Sequence, residues 1–134
     1  LLLLQGCGYP LEVSFRNRGS NLIRVHSARV DGHGVSPGVL TPGGGGKTVY
    51  LTGAGKIAAR SEARVCWHEP DGPDRKSTCA TVDITKGCLP PIHQRRDRIM
   101  IVVLDDTIVL AVKKEDDPLS QPPTPSTCPV SVDR

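Results

Sequence analysis

The sequence predicts an all-β chain: an antiparallel β-sandwich of about seven strands with a flexible Pro-rich C-terminal tail. Three observations predict it. Short runs rich in Val and Ile alternate apolar and polar residues, the period of a strand with one face in a core. Fourteen Gly and twelve Pro fall between those runs and punctuate them as turns. No stretch carries the 3.6-residue period of an amphipathic helix. At 134 residues the chain is long enough for one domain around one core.

Charge and aromatic content narrow the function classes. Seventeen basic and fourteen acidic residues leave a net charge of +3, which favours solubility more than it signals nucleic acid. One Trp, one Phe and two Tyr supply few platforms on which bases or sugars could stack. No nucleic-acid partner is expected.

The chain opens LLLLQGCG. Four leucines running into Gly6-Cys7 read as the end of an apolar signal segment meeting a processing site. Leu4-Gln5-Gly6-Cys7 resembles the lipobox of bacterial lipoproteins, in which a Leu stands three residues before Cys and a small residue directly precedes it. The resemblance covers these four residues. It implies cleavage before Cys7 and lipid on its sulfur, so that the lipid anchor makes the membrane a partner. In that family an Asp after the Cys favours inner-membrane retention; Gly8 stands there, which implies an outer-membrane lipoprotein facing the periplasm. The plainer alternative is a buried strand at residues 1–4 with Cys7 as a core thiol. Five Cys is an odd number, and giving Cys7 to lipid leaves Cys66, Cys79, Cys88 and Cys128, an even set suited to an oxidising compartment. The expected organisation is residues 1–6 as the end of the signal, 7–114 as the sandwich and 115–134 as the tail.

Residues 11–18 (LEVSFRNR) place Leu11, Val13 and Phe15 on one face, and Asn17-Arg18-Gly19-Ser20 reads as a turn. Residues 21–31 give a second strand with Ile23 and Val25 on one side; Ser27-Ala28 breaks the alternation before Val30, as a bulge would. Residues 32–46 are loop-rich, with a short strand at Val39-Leu40, and residues 47–52 form a strand through Val49 and Leu51.

The next two runs form a hairpin whose register can be read twice. In residues 62–69 (EARVCWHE), Ala63, Val65 and Trp67 share a face; in residues 77–84 (STCATVDI), Ala80, Val82 and Ile84 share one. A turn centred on residues 71–74 sets Val65 opposite Ala80 and Ala63 opposite Val82. The same register sets Cys66 opposite Cys79 on the other face, so apolar pairing and cysteine pairing select one alignment. With Cys7 assigned to lipid by the resemblance, Cys88 and Cys128 are left as the second pair.

Residues 98–113 form another hairpin with Asp105-Asp106 as its turn, opposing Ile99, Ile101 and Val103 to Val112, Leu110 and Ile108. In that register the opposite face carries Met100, Val102, Leu104, Val109 and Ala111, an apolar set on a face that in a sandwich normally meets water. It needs a cover: a neighbouring loop, the Pro-rich tail held by Cys128, a second copy, or a partner protein. If exposed, it is the candidate docking surface. Beyond Lys114 the acidic, Pro-rich run EDDPLSQPPTPSTCPVSVDR reads as flexible.

Several motifs are decoys. TPGGGGKT at residues 41–48 and IMIVVLDD at residues 99–106 together resemble a phosphate loop and a metal-binding aspartate strand. A phosphate loop needs Gly where Thr41 stands, and a helix after its lysine to hold the phosphates; strand formers follow Lys47 instead. No nucleotide and no cofactor is expected. His26, His33, His68 and His93 share no ligand spacing and read as surface residues, so no metal site is expected. Cys66 beside His68 has no orienting third group and faces Cys79, so a disulfide is preferred to a nucleophile. Arg95, Arg96, Arg98, Lys113 and Lys114 gather at one hairpin end, where Asp97, Glu115, Asp116 and Asp117 largely cancel their field. A solvated charged rim is expected, with a weak contact to phospholipid headgroups as its functional counterpart.

These readings predict a lipid-anchored, periplasm-facing, non-catalytic binding or envelope-assembly module with a protein partner or a second copy of itself. The alternative class is a small periplasmic hydrolase whose site the sequence does not reveal.

Overall fold

The computed structural model describes residues 11–43, 47–51, 61–70, 76–85, 87–90, 97–114, 118 and 121–133. Alternating side chains dictate two layers, because each strand has one apolar face to bury. Among the described residues eleven strands and no helix form: β1 (Leu11–Asn17), β2 (Ile23–Val30), β3 (His33–Val35), β4 (Gly38–Leu40), β5 (Lys47–Leu51), β6 (Ser61–His68), β7 (Thr78–Ile84), β8 (Arg98–Val103), β9 (Ile108–Lys113), β10 (Thr124–Pro125) and β11 (Val130–Asp133). One sheet runs β10-β9-β8-β1-β5; the other runs β11-β7-β6-β2-β3, with β4 also pairing β2. The chain is an all-β sandwich.

The core lies between the sheets. Val13, Phe15, Ile99 and Ile101 from the first sheet meet Val25, Val65 and Val82 from the second, all buried. Burying a side chain of this size is worth about 1.5–3 kcal/mol, so this interface dominates the stability. Both hairpins take the expected register. Val65 pairs with Ala80, Ala63 with Val82 and Cys66 with Cys79. Ile99 pairs with Val112, Ile101 with Leu110 and Val103 with Ile108 around Asp105-Asp106, closed by Leu104 N–H donating to Thr107 O at 2.8 Å.

Four features differ from expectation. β1 pairs with β8 in parallel, so the sandwich is not wholly antiparallel. The pairing joins strands far apart in sequence, and no local pattern specifies it. The bulge in β2 falls between Val25 and Ser27, one residue earlier than expected, and turns both Val25 and Ala28 inward. β3 lies inside the expected loop. It is turned back onto β2 by Asp31-Gly32, both at positive φ (49° and 79°), a two-residue turn of the kind that matches strand twist.

The fourth difference is the tail. Residues 121–133 form two strands and extend the sandwich past Lys114, rather than a flexible extension. β10 pairs with β9 in the first sheet and β11 pairs with β7 in the second. Between them Ser126 N–H donates to Leu110 O and Thr127 N–H to Cys88 O, and a disulfide joins Cys88 to Cys128. The segment crosses from one sheet to the other, and the bridge fixes it at the crossing. A Pro-rich composition biases a chain towards disorder only when no long-range link supplies the missing contacts.

Candidate functional site

The two outer faces of the sandwich carry the chemistry. On the second sheet, β2 and β6 are neighbours, and several of their outward residues find partners within the face. Cys66 and Cys79 are bonded. Arg64 Nη1 lies 3.1 Å from Asp133 Oδ2 on β11 and 3.0 Å from Thr81 Oγ1. The His26 and His68 rings stack at 5.2 Å between centroids, and His26 Nε2 lies 2.9 Å from Ser77 Oγ. Burial first, and the charge of His68 second, hold His26 below the ordinary histidine pKa. Sequence spacing gave no hint that His26 and His68 meet, because they stand on strands paired across more than thirty residues. His33 is exposed, and His93 lies outside the described residues. Among the described residues no group of three or more potential metal ligands occurs.

The first sheet is different. Alternation in β1 turns Val13 and Phe15 inward and Glu12, Ser14 and Arg16 outward; in β8 it turns Ile99 and Ile101 inward and Arg98, Met100 and Val102 outward. Parallel pairing then sets Arg16 beside Val102, two places along from Met100, while Arg98 stands opposite Lys113 on β9. A depression of about 240 Å³ forms over Met100, ringed by Arg16, Arg18, Arg98 and Lys113 and walled by Gln121, Pro122 and Pro123.

None of these four cations has a carboxylate within ion-pair distance among the described residues. The ion pairs there are Arg64–Asp133 and Lys114–Asp97, the latter at 3.4 Å with the Asp97 side chain fully buried. Glu12 stands in register beside Arg98, yet no ion pair forms between them. Lys113, 8% exposed, donates from Nζ to the carbonyls of Pro118 and Gln121, which satisfies two of its three hydrogens without neutralising its charge. The Nε of Arg98 is buried with no acceptor among the described residues. A charged donor left so costs more than the roughly 1–3 kcal/mol of a neutral one.

The expected rim is therefore divided. Asp97 turns inward towards Lys114, while Arg98 and Lys113 line the depression together with Arg16 and Arg18, which sequence reasoning did not connect to them. The outward position of Arg16 was legible from the alternation of β1; its approach to Arg98 needed the β1–β8 pairing. Arg95, Arg96, Glu115, Asp116 and Asp117 lie outside the described residues.

The candidate docking set also divides. Met100 (4% exposed) and Ala111 (3%) are buried, with Pro125 in register beside Ala111 and Pro122 and Pro123 lining the same depression as Met100. The Pro-rich segment anchored by Cys128 is thus one of the covers the apolar face required. Val102, Leu104 and Val109 remain half-buried. Of the nucleotide decoy, Lys47 opens β5, a strand paired with β1, where a phosphate loop would need a helix. Asp105 instead holds the first inter-sheet loop, accepting from Ser20 N–H at 2.7 Å and from Ser20 Oγ at 3.2 Å. Gly19 passes so close that a Cβ there would lie 2.7 Å from Asp105 Oδ1. Cys7 lies outside the described residues.

No family model matches the chain, and no curated protein matches it. A search of solved structures finds similarity to a member of the self-incompatibility protein homologues (SPH), described as a widespread family of small, highly stable, secreted proteins from plants. The identity is 16%, the TM-score is 0.49, and the match covers 89% of this chain and 96% of that one.

Proposed function

We propose that this chain is a non-catalytic binding module of the bacterial cell envelope, held at the periplasmic face of the outer membrane by lipid on Cys7. One observation carries the reading. The two bridges use Cys66, Cys79, Cys88 and Cys128, so of five cysteines Cys7 alone has no sulfur partner in them. Two disulfides suit a compartment outside the cytoplasm, and a leftover cysteine beside a lipobox-like run suits lipidation. Three residues separate Cys7 from β1, a span of roughly 10 Å, so the domain would sit close to the bilayer. The binding surface of this reading is the outer face of the first sheet, where cations ring a depression without acidic partners among the described residues. Expression in a bacterium with a complete signal peptide tests the anchor by intact mass. The reading predicts a mature chain beginning at acylated Cys7; an unmodified chain retaining the leucines contradicts it.

A hydrolase is the second reading, and one contact favours it: His26 Nε2 lies 2.9 Å from Ser77 Oγ. The ring of His26 stacks on His68, and among the described residues no hydrogen bond joins it to a carboxylate that would orient it as a base. Esterase assays on Ser77→Ala discriminate the readings, since the binding module predicts no activity for the substitution to remove.

A further inference from the structure

We propose that the depression over Met100 is a binding site for a phosphate ester carried on an apolar stem. The inference rests on the binding-module reading and names the ligand class of its surface.

Electrostatics comes first. Arg16, Arg18, Arg98 and Lys113 converge on a small volume in which, among the described residues, no carboxylate is a lining residue. Like charges at such range repel, and nothing among the described residues neutralises them in place. The second sheet shows the ordinary solution, with Arg64 facing Asp133 across the strands. The first sheet leaves its cations open to an incoming anion. The Nε–H of Arg98 is a second observation: it has no acceptor among the described residues, so the hydrogen-bonding capacity of this guanidinium is not spent within them.

The shape and lining then select the kind of anion. Three guanidinium groups and an ammonium match an anion with several oxygens better than a single carboxylate, because each guanidinium can fork onto two of them. The volume of about 240 Å³ is smaller than the roughly 300–1,000 Å³ of sites that enclose whole small molecules, so it takes a headgroup and not a nucleotide. Met100 beneath, and Pro122 and Pro123 at the side, offer thioether and ring carbon, and the prolines have no backbone N–H to satisfy. A ligand that is anionic at one end and apolar beyond it uses both parts of the lining.

Lys113 ties the wall to the floor. By donating to Pro118 and Gln121 it holds the start of the segment that delivers Pro122 and Pro123, while its charge stays available to the ligand. The phosphate could belong to an anionic lipid or to a soluble ester, and the chemistry on the protein side is the same.

The test uses the full chain with Cys7→Ser, so that lipid on the protein does not mask lipid in solution. Glycerol phosphate is titrated while the backbone N–H resonance of Met100 is followed, and sedimentation is measured with phosphatidylcholine vesicles with and without phosphatidylglycerol. The expected result is a saturable shift of that resonance, or sedimentation that requires phosphatidylglycerol. Arg16→Gln/Arg98→Gln should weaken whichever binding is seen by about tenfold or more, as expected for lost charge-assisted hydrogen bonds. The control Arg24→Gln/Arg29→Gln removes the same charge from the second sheet and should change it less than about twofold. Should Arg98→Gln fail to fold, Arg16→Gln/Arg18→Gln replaces it. Vesicle binding without glycerol phosphate binding assigns the phosphate to lipid, and the reverse assigns it to a soluble ester. Binding to neither, or equal losses in pocket and control variants, overturns the proposal. Because the Cys7→Ser chain carries no anchor, failure here leaves the lipidation result standing, and failure of lipidation leaves this site standing.

Discussion

The two outer faces of the sandwich obey different rules, although the same alternation builds both. On the second sheet, several outward residues are matched across strands: Cys66 with Cys79, Arg64 with Thr81 and Asp133, His26 with His68 and Ser77, while Arg24 and Arg29 face solvent. On the first, the cations Arg16, Arg18, Arg98 and Lys113 gather around a depression with no acid among its described lining residues. Cross-strand pairing satisfies a face when complementary residues sit in register. Where several cations instead gather around one depression, an anion bound there would relieve their repulsion. In the proposed reading the second sheet is the scaffold and the ringed depression on the first is the binding surface.

The largest test of that contrast removes the Cys88–Cys128 bridge. It closes a loop of 40 residues, and loop-closure entropy assigns it about 4 kcal/mol, with about 3 kcal/mol for Cys66–Cys79, which spans 13. Cys88→Ser/Cys128→Ser should lower the denaturant midpoint more than Cys66→Ser/Cys79→Ser. Hydrogen exchange should rise at β9 and β10, beside the depression, before it rises at β2 and β6. Equal exchange on both faces would dissolve the distinction between them.

A smaller effect is expected at Val102 and Val109, register partners on the first sheet and both half-buried. Val102→Thr/Val109→Thr should cost about 1 kcal/mol in thermal unfolding, since little apolar surface is removed and the hydroxyls can still reach water. A loss of several kcal/mol would mean that these positions are as well covered as Met100.

The smallest effect belongs to the second face and depends on pH. His26 has a folded-state pKa below its unfolded value of about 6.5, so the unfolded chain binds its proton more readily. Stability should be full above that value and fall as pH drops through it. The loss should be slight because the ring is exposed. His68→Asn removes one of the two causes and should flatten the dependence in urea titrations at pH 7.5 and pH 5. A steeper dependence in the variant would contradict the account of the stack.

Much of this fold was legible in local pattern. The β6–β7 register followed from two cues that had to agree, and the β8–β9 register from an apolar alternation broken only by Asp105-Asp106. Asp31-Gly32 is a strong hairpin signal that would have revealed β3, had it not been absorbed into a loop-rich stretch. What stayed hidden was non-local. Nothing near β1 specifies that it pairs in parallel with β8, and the strand of two residues at Thr124–Pro125 exists because Cys128 and β9 hold it. The candidate site inherits that limit. Arg98 and Lys113 were adjacent on one hairpin and visible as a cluster, whereas Arg16, Arg18 and the proline wall arrive through the two pairings that sequence pattern does not encode.

The central claim is that the outer face of the first sheet, and not that of the second, has an unfilled demand for an anion. Thermal unfolding in phosphate and in chloride at equal ionic strength measures it directly, because a ligand that binds only the folded state raises the midpoint. Phosphate also stabilises folded proteins in general, so the informative quantity is the difference between variants. The account predicts that the midpoint gain in phosphate persists in Arg24→Gln/Arg29→Gln and shrinks to the general effect in Arg16→Gln/Arg18→Gln. The same gain in both variants would contradict it.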